Sequence, residues 1–158
     1  MPEARALVVD DDDPIRVMLA TLVAHQGYTV ETARDGAEAI ERLDHDGYNL
    51  ILLDLMMPHV DGFSILESVR EAAAETFLPV IVLTADANEA TKLRALRAGA
   101  TDFLLKPFDQ LEVLLRMNNL LETRRLHLQL DMQVAAYADA VRERTSELRE
   151  AQTLLDKA

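Results

Sequence analysis

"NLILLDLMMPHVDG", residues 49–62, sets four consecutive apolar residues, Leu50 to Leu53, directly against Asp54. A run that is apolar at every position has no wet face. It reads as a strand buried on both sides, as in parallel sheets covered by helices. Comparable runs occur at "RALVVD" (5–10), "YTVET" (28–32), "PVIVLT" (79–84) and "TDFLLK" (101–106). Between them lie stretches of helical spacing, at about 14–26, 36–46, 63–74, 87–98 and from 110 onward. Gly27, Gly47 and Gly99 stand where helices commonly end. The order is strand then helix, five times, which predicts an α/β fold with a doubly wound parallel sheet and right-handed crossovers.

In such sheets ligands bind beyond the carboxyl ends of the strands. Those ends carry Asp10 and Asp11 after the first strand, Asp54 after the third, Thr84 after the fourth and Lys106 after the fifth. Adjacent carboxylates repel, so the cluster costs stability unless a cation takes up its charge. Three carboxylates beside a hydroxyl and an ammonium suit Mg²⁺ next to a phosphoryl group, because Mg²⁺ prefers oxygen ligands and retains several waters. An aspartate can itself be the nucleophile, forming an acyl phosphate, while cationic groups and a hydroxyl stabilise the transferring oxygens.

Asp10 and Asp11 open a run of four aspartates, "LVVDDDDPIR" (7–16). Asp13 precedes Pro14, and Asp at the N-cap with Pro at the first helical position is a start signal, so Asp13 is expected to cap the first helix. Asp12 is expected on the loop, either as a solvated charge or in a supporting or gating role beside the site. An acidic turn without a glycine-rich loop would repel a pyrophosphate, which argues against dinucleotide binding.

Composition narrows the classes further. The chain has 158 residues, no cysteine and a formal net charge of −12. Disulfides and thiolate chemistry are excluded, and the acidic balance argues against nucleic acid and anionic membrane as partners. The start lacks the pattern of a signal peptide and no stretch is apolar for the length of a membrane span, so a cytoplasmic location is expected. His25, His45, His59 and His127 show no paired metal-ligand spacing.

The motifs "VVDD" (8–11), "LLDLMMPHVDG" (52–62), "LTA" (83–85) and "DFLLKPF" (102–108) occur in order, separated by 43 residues from Asp11 to Asp54, 30 to Thr84 and 22 to Lys106. Over about residues 4 to 121 the chain resembles the receiver domains of two-component response regulators. The resemblance implies a flavodoxin-like sheet of order 2-1-3-4-5. It implies that Asp54 accepts a phosphoryl group from a histidine kinase or phosphotransfer protein, and that Asp10, Asp11, Asp54 and the Met56 carbonyl bind Mg²⁺. Thr84 would turn towards the phosphoryl oxygens, Lys106 would pair with them, and Phe103 would swing inward behind Thr84 as a switch. The Lys106–Pro107 bond would be cis. On this reading the protein is a regulator, not an enzyme. A competing assignment is an aspartate-based phosphatase of the haloacid dehalogenase type, since Asp10 and Asp12 have the D-x-D spacing; it leaves "LLDLMMP" without a role.

All ten glycines and prolines lie before residue 108. From 110 onward good helix formers dominate, and residues 122–158 are expected to form a helical linker or dimerisation segment after a receiver at 1–121. Placing Leu120, His127, Val134, Val141, Leu148 and Leu155 at a puts Thr123, Leu130, Tyr137, Arg144, Ala151 and Ala158 at d. Nine of these twelve are apolar. That predicts a coiled coil, weakest at His127 and Arg144, and a parallel homodimer; the alternative is a helix folded back on its own domain or frayed in solution. "VRERTSELREAQ" (141–152) resembles linker helices that precede HD-GYP phosphodiesterases, diguanylate cyclases or kinases. The sequence carries no effector signature of its own and is expected to be either a fragment of a larger regulator or a stand-alone dimeric one.

Overall fold

The structure, a computed structural model, describes residues 4–45, 47–72 and 78–157. The main strands are β1 (Arg5–Val9), β2 (Thr29–Ala33), β3 (Leu50–Asp54), β6 (Val80–Thr84) and β7 (Asp102–Leu105). Two short strands, β4 (Met56–Met57) and β5 (Val60–Asp61), form a separate antiparallel ribbon. The helices are α1 (Asp13–His25), α2 (Gly36–His45), α3 (Gly62–Ala72), α4 (Glu89–Arg97) and α5 (Gln110–Asp156). The five main strands pair in the order β2-β1-β3-β6-β7, all parallel. Counted without the ribbon, this is the expected 2-1-3-4-5. The expected end of the third helix, at 73–74, lies outside the described residues.

Central strands β3 and β6 are buried at every position, as their unbroken apolar runs require. Leu7, Ile51, Leu53, Val80 and Val82 enter a core with Ile65, Leu66 and Val69 of α3. Leu19 and Val23 of α1 are also fully buried. Gly27 and Gly99 follow α1 and α4 with φ of 97° and 108°, left-handed values at which other residues are strained.

One expectation fails at the start of α1. The cap is Asp12, whose backbone is extended and whose side chain accepts from the Ile15 amide at 3.2 Å. Asp13 lies inside the helix and pairs with Arg16. In a run of aspartates each residue has the chemistry of a cap, and the backbone decides which is used.

The chain divides into two compact units, 1–120 and 121–158. Within the first, α5 buries Val113, Met117 and Leu120, a spacing of four and three that defines one helix face. Within the second, α5 continues as helix with Leu130, Val134, Tyr137, Val141, Leu148 and Leu155 exposed. Among the described residues no helix is long and apolar enough to cross a membrane.

Candidate functional site

Strand register brings the candidate residues to one level. Val9 pairs with Leu53, Asp54 with Leu83, and Thr84 with Leu105. Asp10, Asp54, Thr84 and Lys106 therefore sit at the carboxyl ends of four adjacent strands. Backbone bonds continue the ladders past the strand ends: the Asp10 amide donates to the Ala33 carbonyl at 3.1 Å, and the Lys106 amide to that of Thr84 at 2.8 Å. Gly62 makes room for the loop after Asp54, because a Cβ there would meet the Leu55 Cα at 2.6 Å.

Asp10, Asp54 and Thr84 are the buried polar residues of the described core, whereas Asp11 is exposed. One carboxylate oxygen from each of Asp10, Asp11 and Asp54 lies within 4.8 Å of the others, a group that could hold a metal ion. Asp10 Oδ1 accepts from the Asp12 amide at 2.9 Å, and Asp54 Oδ1 from the Met56 amide at 3.0 Å. Lys106 Nζ donates to Asp54 Oδ2 at 3.2 Å and lies 2.9 Å from Asp10 Oδ2. The second contact is an ion pair, so one ammonium is shared by two buried carboxylates. Three carboxylates gathered beside one ammonium form an oxygen donor set that fits a hard cation.

The electrostatics point the same way. Burial pushes the Asp54 carboxyl up to about 7; the Met56 amide opposes the rise, Asp10 adds to it and Lys106 counters it. Burial alone would lower the Lys106 ammonium, but the contacts with Asp10 and Asp54 outweigh it and raise its pKa.

Thr84 Oγ1 accepts from the Asp86 amide at 3.0 Å. Phe103 is half-buried against the core, with Lys92 Nζ 4.8 Å from its ring centre. Met56 is exposed and Met57 is buried in the core, where it fills space. The Lys106–Pro107 bond is cis. Asp12 is engaged as a helix cap, which leaves the D-x-D reading of Asp10 and Asp12 without a second site carboxylate. Asp86 went unnoticed in the sequence. Its carboxylate accepts from the Thr91 hydroxyl at 2.7 Å and from the Asn88 amide at 2.9 Å, and these bonds hold its pKa below the usual carboxylate range.

The family model described as response regulator receiver domain matches residues 6–118. Response regulator MprA of Mycobacterium ulcerans is 42% identical over 122 residues, covering 77% of this chain and 52% of that protein. Transcriptional regulatory protein ResD of Bacillus subtilis is 41% identical over 119 residues, 75% of this chain and 48% of that one. The chain thus spans about half the length of these curated relatives. Among solved structures, the chemotaxis protein CheY4 of Vibrio cholerae superposes with a TM-score of 0.66 at 35% identity, covering 74% of this chain and 97% of that one. NtrX of Brucella abortus gives 0.74 at 30% identity, covering 82% of this chain and 29% of that one. With its sheet order, its strand-end carboxylates and its sequence all in agreement, the chain belongs to the response regulator receiver domain family of two-component signalling.

Proposed function

We propose that the chain is a cytoplasmic, phosphorylation-dependent signalling switch in which Asp54 accepts a phosphoryl group from a partner histidine kinase or phosphotransfer protein. The observation that carries this reading is the position of Lys106 Nζ, within 3.2 Å of both Asp54 Oδ2 and Asp10 Oδ2. A cation fixed there can leave its carboxylate partners for an arriving phosphoryl group. An Asp54 carboxylate oxygen would attack phosphorus, the bond to the donor histidine nitrogen would break, and its electron pair would return to the imidazole. Lys106 would then pair with the phosphoryl oxygens and Thr84 would donate a hydrogen bond to them. Phe103 would move inward behind Thr84.

Asp10, Asp11, Asp54 and the Met56 carbonyl would hold Mg²⁺, supplying positive charge that keeps Asp54 ionised and offsets the phosphoryl charge. Binding to the folded cluster but not the unfolded chain raises the melting temperature by mass action. Millimolar Mg²⁺ is expected to stabilise wild type and to shift Asp11→Ala much less. Equal shifts would remove Asp11 from the site. Labelling of wild type by a small phosphodonor is expected to require Mg²⁺ and to be absent in Asp54→Asn.

The receiver would occupy 1–121 and the signal would leave through a helical segment at 122–158 paired in parallel with a second copy. The exposed apolar repeat from Leu130 to Leu155 supports this reading. The likeness of residues 141–152 to linker helices favours an HD-GYP, diguanylate cyclase or kinase domain as the downstream effector.

A further inference from the structure

We propose that Arg16 is a positioning residue for the cation: its guanidinium braces the bend that turns the Asp10 and Asp11 carboxylates towards one point. The proposal rests on the Mg²⁺ reading of Asp10, Asp11 and Asp54 and names the group that shapes that site. Along an extended strand successive side chains point to opposite faces, so two neighbouring aspartates cannot serve one ion while the strand runs straight. Here the chain bends at Asp11, directly after β1. The bend brings one oxygen of each of Asp10, Asp11 and Asp54 within 4.8 Å of the others.

Arg16 takes part in most of the bonds around that bend. Its Nη1 donates to the Asp10 carbonyl at 2.9 Å, its amide donates to the Asp12 carbonyl at 2.9 Å, and its Nη2 pairs with the Asp13 carboxylate. The Asp12 amide completes the turn by donating to Asp10 Oδ1 at 2.9 Å. Asp11 is thereby suspended between residues that Arg16 holds on both sides. The Asp10 carbonyl needs a side-chain donor for a reason written in the sequence: four residues on, where a helix would supply an N–H, stands Pro14, which has none. The Arg16 side chain is only 15% exposed, so its fork lies against the turn and not in open solvent.

Charge and geometry make opposite demands here. Removing a positive group beside a cation site makes the local potential more negative, which by Coulomb attraction alone draws a divalent ion in more tightly. Removing a brace does the reverse, because Asp10 and Asp11 repel one another once released and the ion must impose the bend again. Loss of a group that orients metal ligands weakens affinity by roughly tenfold or more. Lysine separates the two effects further. It keeps the charge, but a point donor cannot bridge the Asp10 carbonyl and the Asp13 carboxylate as a planar fork does.

The test is direct cation binding to the full chain without phosphodonor. Mn²⁺, which takes the same oxygen ligands as Mg²⁺, is titrated into wild type, Arg16→Met and Arg16→Lys; free Mn²⁺ is read by electron paramagnetic resonance, and Mg²⁺ is added as competitor. Arg16→Met is expected to bind roughly tenfold more weakly than wild type. Arg16→Lys is expected to bind more weakly than wild type although its charge is unchanged. Circular dichroism at the titration temperature establishes that each variant is folded, so that a loss of affinity is not a loss of fold; should Arg16→Met fail to fold, Arg16→Lys decides. Affinity of Arg16→Met equal to or above that of wild type overturns the brace, and so does Arg16→Lys binding as tightly as wild type. A wild type that binds no Mn²⁺ overturns the metal reading and the brace with it, whereas tight binding by wild type and both variants overturns the brace alone.

Discussion

Lys106 Nζ stands 3.2 Å from Asp54 Oδ2, an ion pair between two side chains separated by 52 residues that the parallel register alone brings together. Lys106 also faces Asp10, so a single ammonium serves two buried carboxylates. Replacing it with Met leaves both without a counter-charge. Lys106→Met is expected to cost on the order of 2–3 kcal/mol in the metal-free protein at pH 8. The cost is expected to shrink at pH 5, where Asp54 takes up a proton. Urea unfolding at the two pH values measures it, and equal costs would separate the lysine from the titration of Asp54.

The raised pKa of Asp54 has a defined sign in metal-free protein. Its carboxyl titrates near 7 when folded and near 3.8 when unfolded, so between these values the folded state holds the proton more tightly. Its contribution to stability is full below about pH 4 and is lost as pH rises towards 7. Lys106, raised from 10.5, stays charged throughout and adds no slope there. The stability of wild type minus that of Asp54→Asn is therefore expected to fall from pH 4 to pH 7 and to level off above it. A flat difference across thermal melts in EDTA would contradict the buried, uncompensated carboxyl.

Capping discriminates between two neighbouring aspartates. Asp12→Ala is expected to cost about 1 kcal/mol, the usual loss when a cap becomes alanine. Asp13→Ala removes an exposed ion pair with Arg16, for which a loss below about 0.5 kcal/mol is expected. Denaturant midpoints of the two variants at equal m-value give the comparison. A larger loss at Asp13 would return the cap to that residue.

The exposed repeat on α5 makes its own prediction. From Leu130 to Leu155 the exposed repeat runs roughly 38 Å at 1.5 Å per residue, and an apolar stripe of that extent is stabilised by a partner helix. Val141→Asp combined with Leu148→Asp is expected to convert a dimer into a monomer whose Asp54 still labels. Sedimentation at micromolar concentration decides between them. A monomeric wild type, or a dimer indifferent to both substitutions, would contradict the paired helix.

The fold was legible because each central strand is apolar on both faces, so "NLILLD" and "PVIVLT" admit one reading, and glycines such as Gly27 and Gly99 mark helix ends. Convergence of Asp10, Asp54, Thr84 and Lys106 was legible for the same reason, since a parallel register aligns strand ends. The ribbon of Met56–Met57 with Val60–Asp61 was not, because two residues carry no periodicity. Nor was the choice of Asp12 over Asp13, which are chemically alike and differ in backbone angle. The contacts from Asp86 to Thr91 and from Lys92 to Phe103 depend on where α4 lies over the strand ends, which no local pattern encodes.

The most direct measurement of the central claim is the position of the phosphoryl group. After reaction with acetyl phosphate and Mg²⁺, the acyl phosphate can be reduced with borohydride and the modified residue located by tandem mass spectrometry. The account predicts modification of Asp54, abolished in Asp54→Asn and retained in the Val141→Asp, Leu148→Asp variant. Modification at Asp10, or full labelling of Asp54→Asn, would contradict it.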